Sequence, residues 1–130
     1  MAKEIKKLIL VVEDEPSLLH VITHKLEKDG FDTITASSGE EALQVLEKTK
    51  PIDLIWLDLL MPGMGGLKFL EIIKNNENYK NIPVVVVSVS AGVDTLKKVS
   101  EYNILEYIMK GQTDLNHIVE RVKKHLNSAK

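Results

Sequence analysis

The chain lacks cysteine altogether, and it is short of other features that would indicate particular classes of protein. Without cysteine it can form neither a disulfide framework nor a thiolate metal site, and a reducing compartment suits it. It has 17 lysines and arginines against 19 aspartates and glutamates. The chain therefore lacks the excess of positive charge that would indicate nucleic acid as a partner. The apolar runs are too short to span a bilayer, and no signal-peptide pattern is found. We therefore expect a cytoplasmic chain that binds neither membrane nor nucleic acid directly.

What the chain does have is the composition of an ordinary globular domain. Its 130 residues suit one core rather than two, because single domains commonly contain about 100–150 residues. Hydrophobic residues make up 44% of the chain and charged residues 28%, with a formal net charge of -2. The sequence shows no internal repeat, low-complexity tract or interdomain linker. We expect a single domain over residues 1–130.

Short apolar runs alternate with longer segments of helical period, which is typical of an α/β fold with a parallel sheet covered on both faces. Strands are predicted near residues 8–12, 32–36, 53–57, 84–88 and 104–108. The second run is the most mixed, which favours an edge position. Helices are predicted from about Pro16 to before Gly30, after a capping box at Ser38 and Glu41, over about 67–76, near 93–101, and along the apolar stripe from Leu115 to Leu126.

Acidic, hydroxyl and basic side chains follow the predicted strands at the points where they end. Glu13 and Asp14 follow the first strand, Asp58 the third, Ser88 ends the fourth and Lys110 follows the fifth. In an open parallel sheet, ligands bind outside the carboxyl ends of the strands. If the first and third strands are neighbours, the carboxylates crowd together, and two unit charges at 4 Å repel by about 4 kcal/mol at an effective dielectric constant of ~20. Mg²⁺ rather than zinc fits such a site, and a phosphoryl oxygen is a common further ligand of Mg²⁺.

These positions and their neighbours form a specific set of motifs. They are the Glu13-Asp14 pair, Asp58 followed by Met61-Pro62-Gly63, Ser88 at a strand end, and Tyr107-Ile108-Met109-Lys110. In order and spacing they resemble, over nearly the whole chain, the receiver domain of two-component response regulators, the CheY-like family. The resemblance implies a flavodoxin-like, doubly wound fold, with five parallel strands in the order 2-1-3-4-5 and five helices.

The resemblance also implies a role for each acidic residue and for the lysine. Asp58 would be the nucleophile that takes a phosphoryl group from a phosphohistidine of a sensor kinase or phosphotransfer protein, or from a small phosphodonor. Asp14 and Asp58 would bind Mg²⁺ directly, Glu13 would act through water, and the main-chain carbonyl of Leu60 would complete the protein ligands. Lys110 would contact a phosphoryl oxygen. The chain would catalyse only its own Mg²⁺-dependent phosphorylation and dephosphorylation, and we expect no enzyme activity on other substrates.

A switch is the second implication of the resemblance. Ser88 would donate a hydrogen bond to another phosphoryl oxygen, and Tyr107 would change rotamer as Ser88 moves inward. The readout surface usual in the family comprises the fourth helix, the fifth strand and the last helix, where a downstream target protein would bind. The sequence names neither the kinase nor the target, and it leaves open whether phosphorylation makes the chain dimerise.

Three features depart from the family pattern. Lys110 precedes Gly111 where proline is usual, Gly65-Gly66 stands where an aspartate-glycine pair is common, and Asn103 stands where glycine is usual before the fifth strand. We expect the local turns to differ and the loop after Lys110 to be more mobile. The departures keep one alternative open, a degenerate receiver that binds proteins without being phosphorylated.

Two further classes of protein fit the sequence less well. A hydrolase of small phosphoesters could use an aspartate nucleophile with Mg²⁺, but the best-known such family has a second aspartate where this chain has Leu60. A nucleotide-binding domain is disfavoured because no glycine-rich loop follows the first predicted strand. The phosphorylatable receiver is therefore our main hypothesis.

Overall fold

Strands and helices alternate along the whole of the described chain. The computed structural model describes residues 6–49, 51–89, 92–111 and 113–128. The strands are β1 (Leu8–Val12), β2 (Asp32–Ala36), β3 (Leu54–Leu57), β4 (Val84–Ser88) and β5 (Glu106–Met109). The helices are α1 (Pro16–Lys28), α2 (Gly39–Lys48), α3 (Gly65–Lys74), α4 (Gly92–Ser100) and α5 (Leu115–Ser128). Among the described residues, no helix is both long enough and apolar enough to cross a bilayer.

The strands form one parallel sheet whose winding direction reverses between β1 and β3. The order in the sheet is β2-β1-β3-β4-β5, and all four neighbouring pairs are parallel. The chain leaves β1 for the edge strand β2 and then returns to the other side of β1 as β3. Both the flavodoxin-like order and the edge position of β2 are confirmed. The carboxyl ends of β1 and β3 are thus neighbours at the point where such folds bind ligands.

The core consists of two apolar layers, one on each face of the sheet. Side chains of successive strand residues point to opposite faces, so each buried strand contributes to both layers. One layer joins the sheet to α2 and α3, and it includes Leu46, Phe69 and the strand residues Leu10, Val12, Ile55 and Leu57. The other layer joins the sheet to α1 and α5, and it includes Leu26, Val122 and the strand residues Ile9, Val11, Leu54 and Trp56. The uninterrupted apolar runs in the sequence follow from this burial on both faces.

Two predicted strands differ from the structure at their ends. The third strand begins at Leu54, one residue after the predicted start, and the preceding Asp53 carboxylate accepts a hydrogen bond from the Leu8 N–H at 2.8 Å. The fifth strand covers Glu106–Met109 rather than 104–108, because the Ile104 N–H donates to the Tyr102 carbonyl within a turn.

The third predicted helix was displaced by two residues at each end. It begins at Gly65 and ends at Lys74, whereas the sequence predicted about 67–76. The Lys74 ammonium donates to the carbonyl oxygens of Lys80 (3.2 Å) and Asn103 (2.8 Å), and so links the end of α3 to two following turns. The fourth helix spans Gly92–Ser100, one residue earlier than predicted.

The predicted cap of the second helix is confirmed, with one change of partner. The Ser38 hydroxyl oxygen accepts a hydrogen bond from the Glu41 N–H at 3.1 Å. The Glu41 carboxylate in turn accepts from the N–H of Ser37, one residue before the cap, at 2.5 Å. Two main-chain donors at the start of α2 are therefore satisfied by side chains.

Candidate functional site

The carboxyl ends of four strands converge on one edge of the sheet. The pairing of β1 with β3 is extended by a hydrogen bond from the Asp58 N–H to the Val12 carbonyl, at 3.0 Å. Glu13, at the end of β1, donates its N–H to the Ala36 carbonyl of β2 at 3.0 Å. Main-chain pairing therefore fixes where both acids emerge from the sheet.

Glu13, Asp14 and Asp58 form an acidic cluster at this edge. Each offers one carboxylate oxygen, and these three oxygens lie within 4.8 Å of one another. Glu13 is 1% exposed and Asp58 is 3% exposed, so two of the carboxylates are almost wholly removed from bulk water. Because burial of unpaired charge is costly, such a cluster requires positive charge nearby.

Lys110 supplies a positive charge from the end of β5. Its Nζ lies 2.7 Å from Glu13 Oε1 and 3.4 Å from Asp58 Oδ2. The pKa of Glu13 is raised, mainly by burial and further by the charge of Asp58. Hydrogen bonds from Lys110 and from the Glu15 N–H act in the opposite direction but do not cancel the rise. Burial acts to lower the pKa of Lys110, but the hydrogen bond to Glu13 and the charges of Asp58 and Glu13 outweigh it, so this pKa is raised. Burial therefore dominates the pKa shift of Glu13, whereas the two carboxylates together outweigh burial at Lys110.

Two donors bind the carboxylate oxygen of Asp58 that lies away from the Lys110 contact, Oδ1 rather than Oδ2. Asp58 Oδ1 accepts hydrogen bonds from the Ser88 hydroxyl at 3.3 Å and from the Leu60 N–H at 3.2 Å. Ser88 is completely buried at the end of β4, whereas the Leu60 side chain is exposed. The structure thus brings Ser88 and Leu60 to the acidic cluster as predicted, while the role of the Leu60 carbonyl as a metal ligand stays a prediction.

Tyr107 lies on β5 opposite Val86 of β4, two residues before Ser88. Its side chain is partly buried, and its buried hydroxyl has no hydrogen-bond partner among the described residues. Burial raises the pKa of Tyr107, and the charge of Asp58 contributes to the rise. The phenol is therefore within electrostatic influence of Asp58 without being bonded to the cluster.

Gly66 is a residue whose importance sequence reasoning missed. A Cβ at this position would lie 2.1 Å from the Asp58 carbonyl oxygen and 2.6 Å from the Leu59 Cα. The Gly66 N–H also donates to the Leu59 carbonyl at 3.0 Å. In the sequence, Gly65-Gly66 stands out only as a departure from the family pattern. A residue without a side chain is needed here because the start of α3 packs directly on the backbone that carries Asp58.

Comparison with known proteins agrees with this geometry. The family model of the response regulator receiver domain matches residues 9–123. The sporulation initiation phosphotransferase F of Bacillus subtilis is 30% identical over 118 residues, which cover 91% of this chain and 92% of that protein. The CAI-1 autoinducer sensor kinase/phosphatase CqsS of Vibrio cholerae is 35% identical over 103 residues, 78% of this chain.

Several of the similar curated proteins are much longer than this chain. The chain spans 15% of CqsS, and between 25% and 47% of six similar regulatory proteins. Among solved structures, the phosphorylated cyanobacterial phytochrome response regulator RcpA has a TM-score of 0.86 at 28% identity, covering 97% of each chain. The family match, the relative aligned along nearly its full length and this structural likeness agree: the chain belongs to the response regulator receiver domain family.

Proposed function

We propose that Asp58 accepts a phosphoryl group from a phosphohistidine of a sensor kinase or phosphotransfer protein, or from a small phosphodonor, and that phosphorylation switches protein contacts. The observation that carries the proposal is the placement of Lys110 Nζ against both Glu13 (2.7 Å) and Asp58 (3.4 Å) within the acidic cluster. A degenerate receiver would be expected to lack an acid, the hydroxyl or the lysine. All of them converge here, which disfavours the binding-module alternative.

The donor set of the cluster fits Mg²⁺. It consists of carboxylate oxygens from Glu13, Asp14 and Asp58 within 4.8 Å of one another, which suits a hard cation with oxygen ligands. In this proposal Asp14 and Asp58 bind the ion directly, Glu13 acts through water, and the Leu60 carbonyl completes the protein ligands. When bound, the ion offsets the charge of the carboxylates and supplies positive charge to phosphoryl oxygens.

The residues of the chain then act mainly by position and charge. An Asp58 carboxylate oxygen attacks the phosphorus, a new P–O bond forms, and the P–N bond of the donor phosphohistidine breaks with its electron pair left on the imidazole. Lys110 attracts a phosphoryl oxygen as a compact positive charge, in a transition state whose charge spreads over the transferring oxygens. Because these groups are held in place before the donor arrives, little reorganisation is needed during the transfer.

Ser88 and Tyr107 are the proposed switch. The Ser88 hydroxyl, which donates to Asp58 at 3.3 Å, would donate to a phosphoryl oxygen instead. Tyr107 would change rotamer as Ser88 moves, and this movement would break no hydrogen bond of its hydroxyl to the described residues. The two residues lie on paired strands, with Tyr107 in register with Val86 of β4, so a movement at the end of β4 can reach the face of β5.

Partners follow from the same proposal. One relative is named a sensor kinase/phosphatase and another a phosphotransferase, which supports proteins of these kinds as phosphodonors. A downstream target would bind the surface of α4, β5 and α5, and dimerisation through α4 and β5 on phosphorylation is a further outcome to test. We propose that the chain acts as one cytoplasmic receiver domain over residues 1–130, without direct binding of membrane or nucleic acid.

Intact-mass measurement after incubation with acetyl phosphate tests the proposal. We expect a phosphoryl adduct on the native chain that requires Mg²⁺ and is absent from Asp58→Asn. Asp53→Asn is the matched control, because Asp53 precedes the opposite end of β3 and its amide oxygen can still accept from the Leu8 N–H. The control should form the adduct as the native chain does. If neither acetyl phosphate nor a cognate kinase modifies the native chain, and beryllofluoride does not bind, the binding-module alternative replaces this proposal.

A further inference from the structure

Lys110 is held at the site through its main chain as well as through its side chain. Its ammonium group lies between the carboxylates of Glu13 and Asp58, at 2.7 Å and 3.4 Å. Its N–H donates to the Ser88 carbonyl at 2.8 Å, which continues the pairing of β5 with β4 by one residue. The same lysine therefore connects the acidic cluster to the strand that carries Ser88. Its backbone must leave β5 in a direction compatible with both sets of contacts.

The chain turns immediately after Lys110. Gly111 has a φ of +85°, in the left-handed region that residues with a Cβ seldom adopt, and an isolated parallel bridge joins Lys110 to Thr113. Apart from its own atoms and those of its two chain neighbours, no atom of the described residues lies within 4 Å of a Cβ built at Gly111. The backbone conformation, and not lack of space, is therefore what requires glycine here.

We propose that Gly111 is a positioning residue for phosphoryl transfer, because its left-handed turn lets Lys110 pair with Ser88 and Thr113 while its ammonium group faces Glu13 and Asp58. The inference rests on the proposed function and concerns the residue at which the chain departs from the family pattern. Gly111 acts through Lys110 and does not touch the reacting atoms. A residue that prefers negative φ would rotate the backbone at this point and displace the lysine from the carboxylates or from Ser88.

The test compares two substitutions at Gly111 with one at a second left-handed glycine. Gly30, in the turn between α1 and β2, has a φ of +96° and likewise no described atom within 4 Å of an added Cβ. Gly30→Ala therefore introduces the same backbone conflict away from the site. Gly111→Asn is the conservative variant, because asparagine adopts the left-handed conformation more readily than alanine. The measurement is the initial rate of acetyl phosphate-dependent adduct formation over a range of Mg²⁺ concentrations.

We expect Gly111→Ala to lower the maximal rate about tenfold, since misplacing a catalytic group by ~1 Å can cost on the order of 100-fold. The Mg²⁺ concentration for half-maximal rate should stay within about twofold of native, because the turn does not carry the proposed metal ligands. Gly111→Asn should recover most of the rate, and Gly30→Ala should keep the native rate. A simple loss of stability would instead lower the rates of both alanine variants.

Three results would overturn the inference while leaving the proposed function intact. They are a native rate for Gly111→Ala, an equal loss of rate in Gly30→Ala, and a loss in Gly111→Asn as large as that in Gly111→Ala. Failure of the native chain itself to become phosphorylated is a different result, which removes the proposed function and this inference together.

Discussion

At the scale of single residues, the site is defined by an imbalance of charge. Lys110 lies against Glu13 and Asp58, yet the acidic cluster also contains Asp14, so negative charge is in excess. Burial is the main cause of the raised pKa of Glu13, and the negative charge of Asp58 adds to the rise. A cation bound among the carboxylates would relieve the same excess, which links metal binding to the stability of the fold.

The raised pKa of Glu13 predicts a pH dependence of stability. Because its folded pKa lies above the ordinary value of 4.5, the folded state binds more protons than the unfolded state in the interval between the two. The stability from this group is therefore present below pH 4.5 and is lost as pH rises through the folded pKa. With EDTA present, we expect the free energy of unfolding of the native chain to fall relative to Glu13→Gln as pH rises above 4.5. Urea unfolding of both chains at several pH values measures this difference in the free energy of unfolding.

Glu71→Gln is the control for loss of a surface charge, since Glu71 forms an exposed pair with Lys68. Addition of Mg²⁺ should reduce the difference between the native chain and Glu13→Gln at neutral pH. A native chain that instead gains stability over Glu13→Gln as pH rises, in EDTA, would contradict the assigned direction of the pKa shift.

At the scale of elements, the loop from β3 to α3 controls how Asp58 is presented. The Leu60 N–H donates to Asp58 Oδ1, and the Gly66 N–H donates to the Leu59 carbonyl. The start of α3 therefore rests on the backbone just after the strand. The two contacts leave little freedom for the aspartate or for the helix to move independently.

Gly66→Ala should displace the start of α3 and the backbone of Asp58 together. The new Cβ would lie 2.1 Å from the Asp58 carbonyl oxygen, a main-chain atom that cannot rotate away. We expect a loss of about 2–3 kcal/mol in the free energy of unfolding, at the upper end of the usual range for overpacking. We also expect slower phosphorylation, because the backbone of Asp58 must shift. Chemical denaturation and the intact-mass assay measure the two effects.

The comparison variant for this prediction is again Gly30→Ala, where strain of a left-handed residue costs roughly 1–2 kcal/mol without any clash. It should destabilise less than Gly66→Ala and leave phosphorylation unchanged. Equal stability of Gly66→Ala and the native chain would show that α3 can move away from the loop at no cost.

Sequence reasoning predicted the elements better than the contacts between them. The apolar runs located every strand, and Ser38 marked the start of α2, because burial on both faces and capping leave local patterns. The strand ends also placed Asp58, Lys110 and Ser88 correctly at one edge. The close approach of Gly66 to the Asp58 backbone depends on how the start of α3 packs on the end of β3, and the turn at Ile104 depends on a single hydrogen bond. No periodicity in a sequence records such contacts.

At the scale of the whole molecule, both apolar layers depend on the same sheet. Trp56 is fully buried in the layer with α1 and α5, while Leu70 of α3 is fully buried in the other layer. Since alternate residues of each strand contribute to the two layers, neither can form without the strands that support both. We expect the chain to unfold as one cooperative unit.

Urea unfolding followed by Trp56 fluorescence and by far-ultraviolet circular dichroism should therefore give coincident transitions. The chain has a single tryptophan, so fluorescence reports one layer, whereas dichroism reports helices of both. Leu70→Ala, on the side opposite Trp56, should lower the midpoint of both signals equally, with a cost of about 2–5 kcal/mol. Separate midpoints for the two probes would show that the layers unfold independently and that the expectation of one domain is wrong.

The ion pair between Glu13 and Lys110 joins residues that are 97 positions apart in the chain. The ribosome synthesises Glu13 before Lys110, and contacts so distant in sequence carry a large entropic cost of loop closure during folding. Until β5 joins β4, the growing chain carries its cluster of acids without the ammonium group that lies between two of them. β5 therefore brings positive charge to the acids that follow β1 and β3, and the cluster keeps its full negative charge until the sheet has formed.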